Sequence, residues 1–181
     1  MSDSAPALLN ITVSIHRKFK IACSLLGVEA HFRNFERMLE DLPALKVSGV
    51  WGPNQYRIGY SSKFAGVYQV DLFSDVQAQF DPADHVLAVF PLRGLPSVAA
   101  QVTRKSLTGQ GEYASRLVFH AQKGCTIADY DLTINAGLPK PVHLNLVPDS
   151  LARIAVQAVV KSRVETITKL FVVRTKNRLA S

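Results

Sequence analysis

The chain has little of several features that mark common protein classes. Its 181 residues include only two cysteines, Cys23 and Cys125, and we expect both to be free, buried thiols. The longest uninterrupted apolar run, from Val86 to Leu92, is far below the ~18 residues typical of a membrane span. The first residues lack the basic segment of a signal peptide. These absences predict a cytoplasmic protein without a membrane span.

Charged residues are also sparse, at 19% of the chain against 48% apolar residues, and no low-complexity stretch occurs. This composition is typical of a globular protein, and the length predicts a single domain over residues 1–181. The net charge of +7 is the one unusual value. It favours weak association with an anionic surface, either lipid or nucleic acid.

Motifs of catalysis, phosphate binding and metal binding are missing. The five histidines lie far apart along the chain, without the short paired spacings of zinc sites: His16, His31, His85, His120 and His143. No Gly-x-Ser-x-Gly elbow, phosphate loop or dinucleotide fingerprint occurs. We therefore expect no catalytic residue, no metal site and no cofactor.

The first regular pattern is an alternation of apolar and polar residues from Ile11 to Cys23, which predicts a long strand with one buried face. Arg17 is the single charged residue on the apolar face. From Val28 to Leu42 the apolar residues recur every three or four positions, which predicts a helix that ends before Pro43.

Strand patterns then dominate the middle of the chain. A turn at Gly52–Gln55 separates two strands, and the alternation from Tyr68 to Phe80 predicts one long strand with a bend or bulge near Ser74-Asp75. Further strands are predicted at His85–Leu92, Val98–Leu107, Tyr113–Gln122 and Thr126–Ile134. The glycines of Thr108–Gly111 predict a hairpin turn. Short connections of this kind are typical of an antiparallel meander.

The chain ends in a helical pattern. Gly137–Pro148 contains three prolines and is predicted to be irregular. From Leu151 to Arg174 a broad apolar stripe predicts a helix of some 25 residues, capped by Asp149 or Ser150. The final helix has seven basic residues and only two acidic ones. We interpret the basic residues as a solvated surface of the helix: Arg153, Lys161, Arg163, Lys169, Arg174, Lys176 and Arg178.

The order of these elements resembles the helix-grip fold of the START-like (SRPBCC) superfamily. Within it, the segment from Leu132-Thr133-Ile134 through Leu138-Pro139-Lys140-Pro141 to Pro148-Asp149-Ser150-Leu151 is similar to a family of functionally uncharacterised START-like proteins. The resemblance implies an α+β fold, in which a curved antiparallel sheet of six to seven strands wraps around the long C-terminal helix. It also implies an apolar cavity between the sheet and that helix, and no catalytic residue carries over.

Several aromatic residues fall on the predicted inward faces of the strands. They are candidate ligand-binding residues: Tyr56, Tyr60, Tyr68, Tyr113, Phe119 and Tyr130. Their alternative role is ordinary core packing. Arg17 is a further candidate, because a buried guanidinium needs a carboxylate or an anionic ligand, and its alternative is a twisted strand that lets it reach solvent. We predict an enclosed cavity of ~300 Å³ or more between the sheet and the helix.

Three functions follow in order of preference. The first is non-enzymatic carriage or sensing of an apolar or amphipathic, lipid-like small molecule. The second is an interaction protein with a filled core, whose basic helix contacts an anionic surface. The third is a cyclase-like or hydrolase-like enzyme, which only the fold resemblance suggests.

Overall fold

The structure, a computed structural model, describes residues 8–43, 45–64 and 68–180. In this part of the chain the strands are β1 Leu8–Ile21, β2 Leu45–Gly52, β3 Gln55–Phe64, β4 Tyr68–Asp81, β5 Val86–Pro91, β6 Gln101–Val102, β7 Ser106–Gln122 and β8 Cys125–Pro139. The helices are α1 Leu25–Phe32, α2 Phe35–Leu39 and α3 Asp149–Leu179, with a short 3₁₀ turn at Val142–Leu144.

All eight strands belong to one sheet, in which β1 and β2 form the two edges. The order is β1-β8-β7-β5-β4-β3-β2, and the two-residue strand β6 pairs with β7. Every pairing is antiparallel except that of β4 with β7, where Gln69–Phe73 runs parallel to residues 106–110. β4 changes its partner from β7 to β5 between Phe73 and Val76. The sequence predicts a bend in this strand at the same place.

Strand β1 confirms the strand predicted from the N-terminal alternation. Its odd-numbered residues from Leu9 to Ile21 are buried, apart from the half-buried Arg17, and its even-numbered residues are exposed. The strand pairs with β8 in an unbroken register from Leu8 opposite Pro139 to Ile21 opposite Thr126.

The helix predicted from Val28 to Leu42 is two helices instead of one. α1 ends at Phe32, and α2 begins after Asn34, whose side chain accepts a hydrogen bond from the Arg37 amide at 3.0 Å. Asparagine is a strong N-cap residue, so it starts a new helix where the three-and-four pattern alone predicts continuity.

The hairpin predicted at Thr108–Gly111 is wrong, because β7 continues through these residues without a turn. The glycines permit a close approach to β8 instead. A Cβ atom on Gly111 would lie 2.6 Å from the Asn135 carbonyl oxygen, and one on Gly109 would lie 2.8 Å from Leu138 Cδ2. The chain reverses earlier, where the Thr103 hydroxyl accepts hydrogen bonds from the Lys105 and Ser106 amides.

The C-terminal elements are longer than predicted. β8 extends to Pro139, into the segment predicted to be irregular, and α3 has 31 residues. The predicted cap at Asp149 or Ser150 is wrong, because Pro148 is the N-cap residue and no side chain caps the helix. The Asp149 carboxylate instead lies 2.8 Å from Lys140 Nζ.

The two halves of α3 differ in burial. Val164, Thr168, Phe171 and Thr175 are buried in the C-terminal half, whereas Ala152 is the buried residue of the N-terminal half. The Phe171 ring packs against Phe19, Phe32 and Tyr130 at centroid distances of 5.4–6.3 Å. The C-terminal half is therefore part of the core, and the N-terminal half covers the sheet more loosely.

A buried polar cluster fastens the C-terminal half of α3 to the preceding helices. Asp41 Oδ2 lies 2.9 Å from His31 Nε2 and accepts a hydrogen bond from the Thr175 hydroxyl at 3.1 Å. Arg178 forms ion pairs with Asp41 and Glu40. Burial lowers the pKa of His31 below its usual value, although the neighbouring Asp41 acts in the opposite direction.

Candidate ligand-binding cavity

A cavity of about 480 Å³ lies between one face of the sheet and α3. Its walls are almost entirely apolar. The sheet contributes Ile58, Val70, Leu72, Leu107, Leu132, Ile134 and Leu138, and the helix contributes Ala155, Val156, Val159, Val160, Val164 and Ile167. The cavity is open beside the helix, where Val159 and Arg163 both line the cavity and are exposed, so the predicted volume is reached but the prediction of an enclosed space is wrong.

The side chains of α3 explain why this space is empty. Apart from Arg163, the cavity-lining residues of the N-terminal half are small: Ala155, Val156, Val159 and Val160. About one turn after Ile167, which lines the cavity, the much larger Phe171 is buried against three aromatic rings of the core. Alanine and valine side chains are too short to fill the gap between helix and sheet that Phe171 fills in the other half of the helix.

Two tyrosine hydroxyls form a polar point in the apolar wall. The hydroxyl oxygens of Tyr113 and Tyr130 are hydrogen-bonded at 3.0 Å, and both residues are buried. Burial raises the pKa of Tyr113, and it raises that of Tyr130 well above its usual value. Both phenols therefore stay protonated at neutral pH and can donate hydrogen bonds, but they are poor general bases.

A cation also lines the cavity. Arg163 Nε donates to the Tyr60 hydroxyl at 3.0 Å, and Arg163 Nη2 donates to the Ser62 hydroxyl at 2.8 Å. Sequence reasoning placed Arg163 on the solvated face of the helix and missed this position. The signal was its spacing, because Arg163 lies three and seven residues after Val160 and Val156, on the cavity side of α3.

Solved structures of low sequence identity share this architecture. A START superfamily protein from Mycobacterium smegmatis is 12% identical, with a TM-score of 0.55 over 92% of this chain and 97% of that one. The Zhui aromatase/cyclase from Streptomyces sp. R1128 is 14% identical, with a TM-score of 0.52 over 92% and 95%. A conserved protein from Geobacillus kaustophilus is 12% identical, with a TM-score of 0.58 over 95% of each chain. The chain has the START-like helix-grip fold. No family model and no curated protein matches the sequence.

The helix-grip fold brings four of the six predicted aromatic residues together around the cavity: Tyr60, Tyr68, Tyr113 and Tyr130. Tyr68 also donates from its hydroxyl to the Ser106 carbonyl at 3.3 Å, and burial raises its pKa.

The other three predicted site residues lie elsewhere in the helix-grip fold. Tyr56 packs against Phe35 at a ring distance of 5.3 Å, and Phe119 packs against Phe32 at 4.9 Å, so both belong to the core. Arg17 is half-buried on β1, and its guanidinium donates to the His16 carbonyl at 3.4 Å. Alternation along a strand predicts which face a residue occupies but not whether that part of the face is packed or empty.

Within residues 8–43, 45–64 and 68–180, no group of three or more histidine, cysteine, aspartate or glutamate side chains is placed to hold a metal ion. None of the helices in the same ranges is both long and apolar enough to cross a bilayer.

Proposed function

We propose that this chain is a single-domain, non-enzymatic carrier or sensor of an apolar or amphipathic, lipid-like small molecule. The cavity between the sheet and α3 is the observation that supports this function. Its volume of about 480 Å³ lies within the range of roughly 300–1,000 Å³ of small-molecule sites. The proposed binding residues are Tyr60, Tyr68, Tyr113 and Tyr130 together with the apolar wall.

The chemistry of the wall favours an apolar ligand. Water in this space would find few hydrogen-bonding partners, because the wall offers mainly leucine, isoleucine and valine side chains. An apolar molecule would instead gain about 25 cal/mol for each Å² that it removes from water. At about 30 Å³ for each non-hydrogen atom, the volume of one water molecule in the liquid, the space holds on the order of fifteen such atoms.

The second candidate, an interaction protein that uses a basic helix on an anionic surface, has less support. Two of the seven basic residues of α3 are engaged within the fold: Arg163 binds Tyr60 and Ser62, and Arg178 pairs with Glu40 and Asp41. The positive face of the helix is thus smaller than the sequence suggests, and charge complementarity with a phosphate-rich surface is correspondingly weaker.

The third candidate, an enzyme of the cyclase or hydrolase kind, draws on the fold it shares with the aromatase/cyclase. A shared fold carries no reaction. The raised pKa values of Tyr113 and Tyr130 make the phenolate, the form that could act as a general base, even less populated at neutral pH than in an ordinary tyrosine. The protonated hydroxyls can still orient a polar group of a ligand.

The proposal is tested by filling the cavity from the helix side. The neutral fluorescent probe N-phenyl-1-naphthylamine should bind to delipidated protein, and Val156→Trp should weaken that binding by about tenfold or more, because the indole occupies the site. Ala158→Trp is the matched control, since Ala158 is exposed on the same helix, and it should bind as the wild type does. Absence of probe binding, or equal loss in both variants, would refute the proposal.

A further inference from the structure

Arg163 is the cation of the cavity, and no acidic side chain of the described ranges forms an ion pair with it. It is the only charged side chain among the described residues that line the cavity. Its hydrogen-bonding partners in this part of the chain are the neutral hydroxyls of Tyr60 and Ser62, and no carboxylate forms an ion pair with it. Arg163 is exposed at the open side of the cavity, and its guanidinium is always charged, so it can pair there with the anionic group of a ligand whose apolar part enters the cavity.

Among the residues that the structure describes, the hydrogen bonds of Arg163 use one edge of the guanidinium. Nε and Nη2 form one edge of the planar group, and this edge binds the two hydroxyls. The other edge consists of Nη1 and the second proton of Nη2. Two parallel N–H donors at such an edge match the two oxygens of a carboxylate.

The hydroxyls of Tyr60 and Ser62 also favour a carboxylate. Each accepts a hydrogen bond from Arg163, so each keeps its own proton to donate. Both belong to inward positions of β3, since Tyr60 lines the cavity and Ser62 is buried. The three side chains together form a group of donors beside the open side of an apolar cavity.

We propose that the ligand is an amphipathic carboxylate whose head group binds to Arg163, Tyr60 and Ser62 and whose apolar tail occupies the space under α3. This inference rests on the proposed function and specifies its ligand class. A carboxylate is favoured over a phosphate monoester because Arg163 supplies one positive charge. A phosphate monoester carries about −1.5 to −2 at neutral pH and would leave negative charge unbalanced against an apolar wall.

Three ligands with one tail length test the inference: tetradecanoate, tetradecanol and tetradecyl phosphate, each titrated into delipidated protein by displacement of the neutral probe. Tetradecanoate should bind about tenfold or more tightly than tetradecanol, because the charged hydrogen bonds form only with the acid. Arg163→Gln should remove this preference and leave the affinity for tetradecanol unchanged. Arg163→Lys should keep part of it, because a point charge remains without the fork.

Lys161→Gln is the matched control, since it removes one positive charge from an exposed position two residues away and should behave as the wild type. Far-UV circular dichroism and the urea midpoint check that each variant is folded.

Equal affinity for the acid and the alcohol in the wild type would overturn the inference and leave the proposed function standing. Tighter binding of tetradecyl phosphate than of tetradecanoate would overturn the carboxylate assignment. Equal weakening of all three ligands by Arg163→Gln would show that Arg163 only holds the helix to β3. If the probe does not bind, the proposed function fails as well, whereas a bound probe that none of the three ligands displaces would overturn this inference alone.

Discussion

Among the polar contacts of α3, we predict that loss of the hydrogen bond from the Thr175 hydroxyl lowers the free energy of unfolding most. Thr175 is 0% exposed, and its hydroxyl donates at 3.1 Å to the carboxylate of Asp41, which is 1% exposed. Replacing Thr175 with valine keeps the shape of the side chain and removes only the donor. Asp41 then keeps His31 and Arg178 as partners but loses one of its buried hydrogen bonds.

The magnitude follows from the burial of both partners. Loss of a hydrogen bond to a buried, charged acceptor lowers the free energy of unfolding by about 1–3 kcal/mol. For a chain of this size, each kcal/mol corresponds to roughly 2–4 °C in Tm. The loss should appear in the stability of the whole domain, because the contact joins α3 to the segment that follows α2.

Urea denaturation of Thr175→Val, followed by circular dichroism, measures this change. Thr166→Val is the matched control, because Thr166 lies on the exposed side of the same helix and donates to the Ser162 carbonyl. The control should change the unfolding free energy by less than about 0.5 kcal/mol. If both variants lose the same stability, or neither loses any, then the Asp41 cluster does not fasten the helix.

Two further predictions concern pH and backbone packing. The pKa of His31 is lowered below 6.5 by burial, so the unfolded chain binds a proton more readily, and the free energy of unfolding should fall as the pH falls below about 6.5. Urea unfolding at about pH 7.5 and about pH 5.5 checks this, and His31→Gln should show a smaller difference between the two. An equal difference in the variant would assign the effect to other groups. Gly111→Ala should destabilise the fold by about 1–3 kcal/mol through overpacking, whereas Gly49→Ala, whose added Cβ would lie 3.5 Å from its nearest neighbour, should be tolerated. Equal urea midpoints for the two alanine variants would contradict this account of β7.

Much of the fold was predictable because local patterns and global burial agree. The alternation in β1 survives in the structure because one face of that strand lies against the core along its whole length. The apolar stripe of α3 likewise predicts a long helix that packs on the sheet, and the observed helix has 31 residues. The order of the elements and the periodicity of the apolar residues predict an architecture correctly when each pattern fits only one kind of element.

Other features were not predictable because one residue type serves two purposes. Glycine permits a turn and also permits close approach, and only the short distances from Gly109 and Gly111 to residues of β8 show which applies. Arginine on a mostly basic helix is normally solvated, and the position of Arg163 depends on Tyr60 and Ser62, which lie about a hundred residues earlier. The spacing of Arg163 from Val156 and Val160 places it on the cavity side of the helix, but no local pattern identifies Tyr60 and Ser62 as its partners.

The cavity itself is a property of side-chain size and not of the fold. The same helix carries alanine and valine over the cavity and Phe171 where the core is filled. Larger residues at Val156 and Val160 would fill the space without changing any hydrogen bond of the sheet, and the result would be the packed interior of an interaction protein. A helix-grip chain is therefore compatible with either function. The residues that decide between them here are the few small ones on the N-terminal half of α3, which is also the half with the least buried surface.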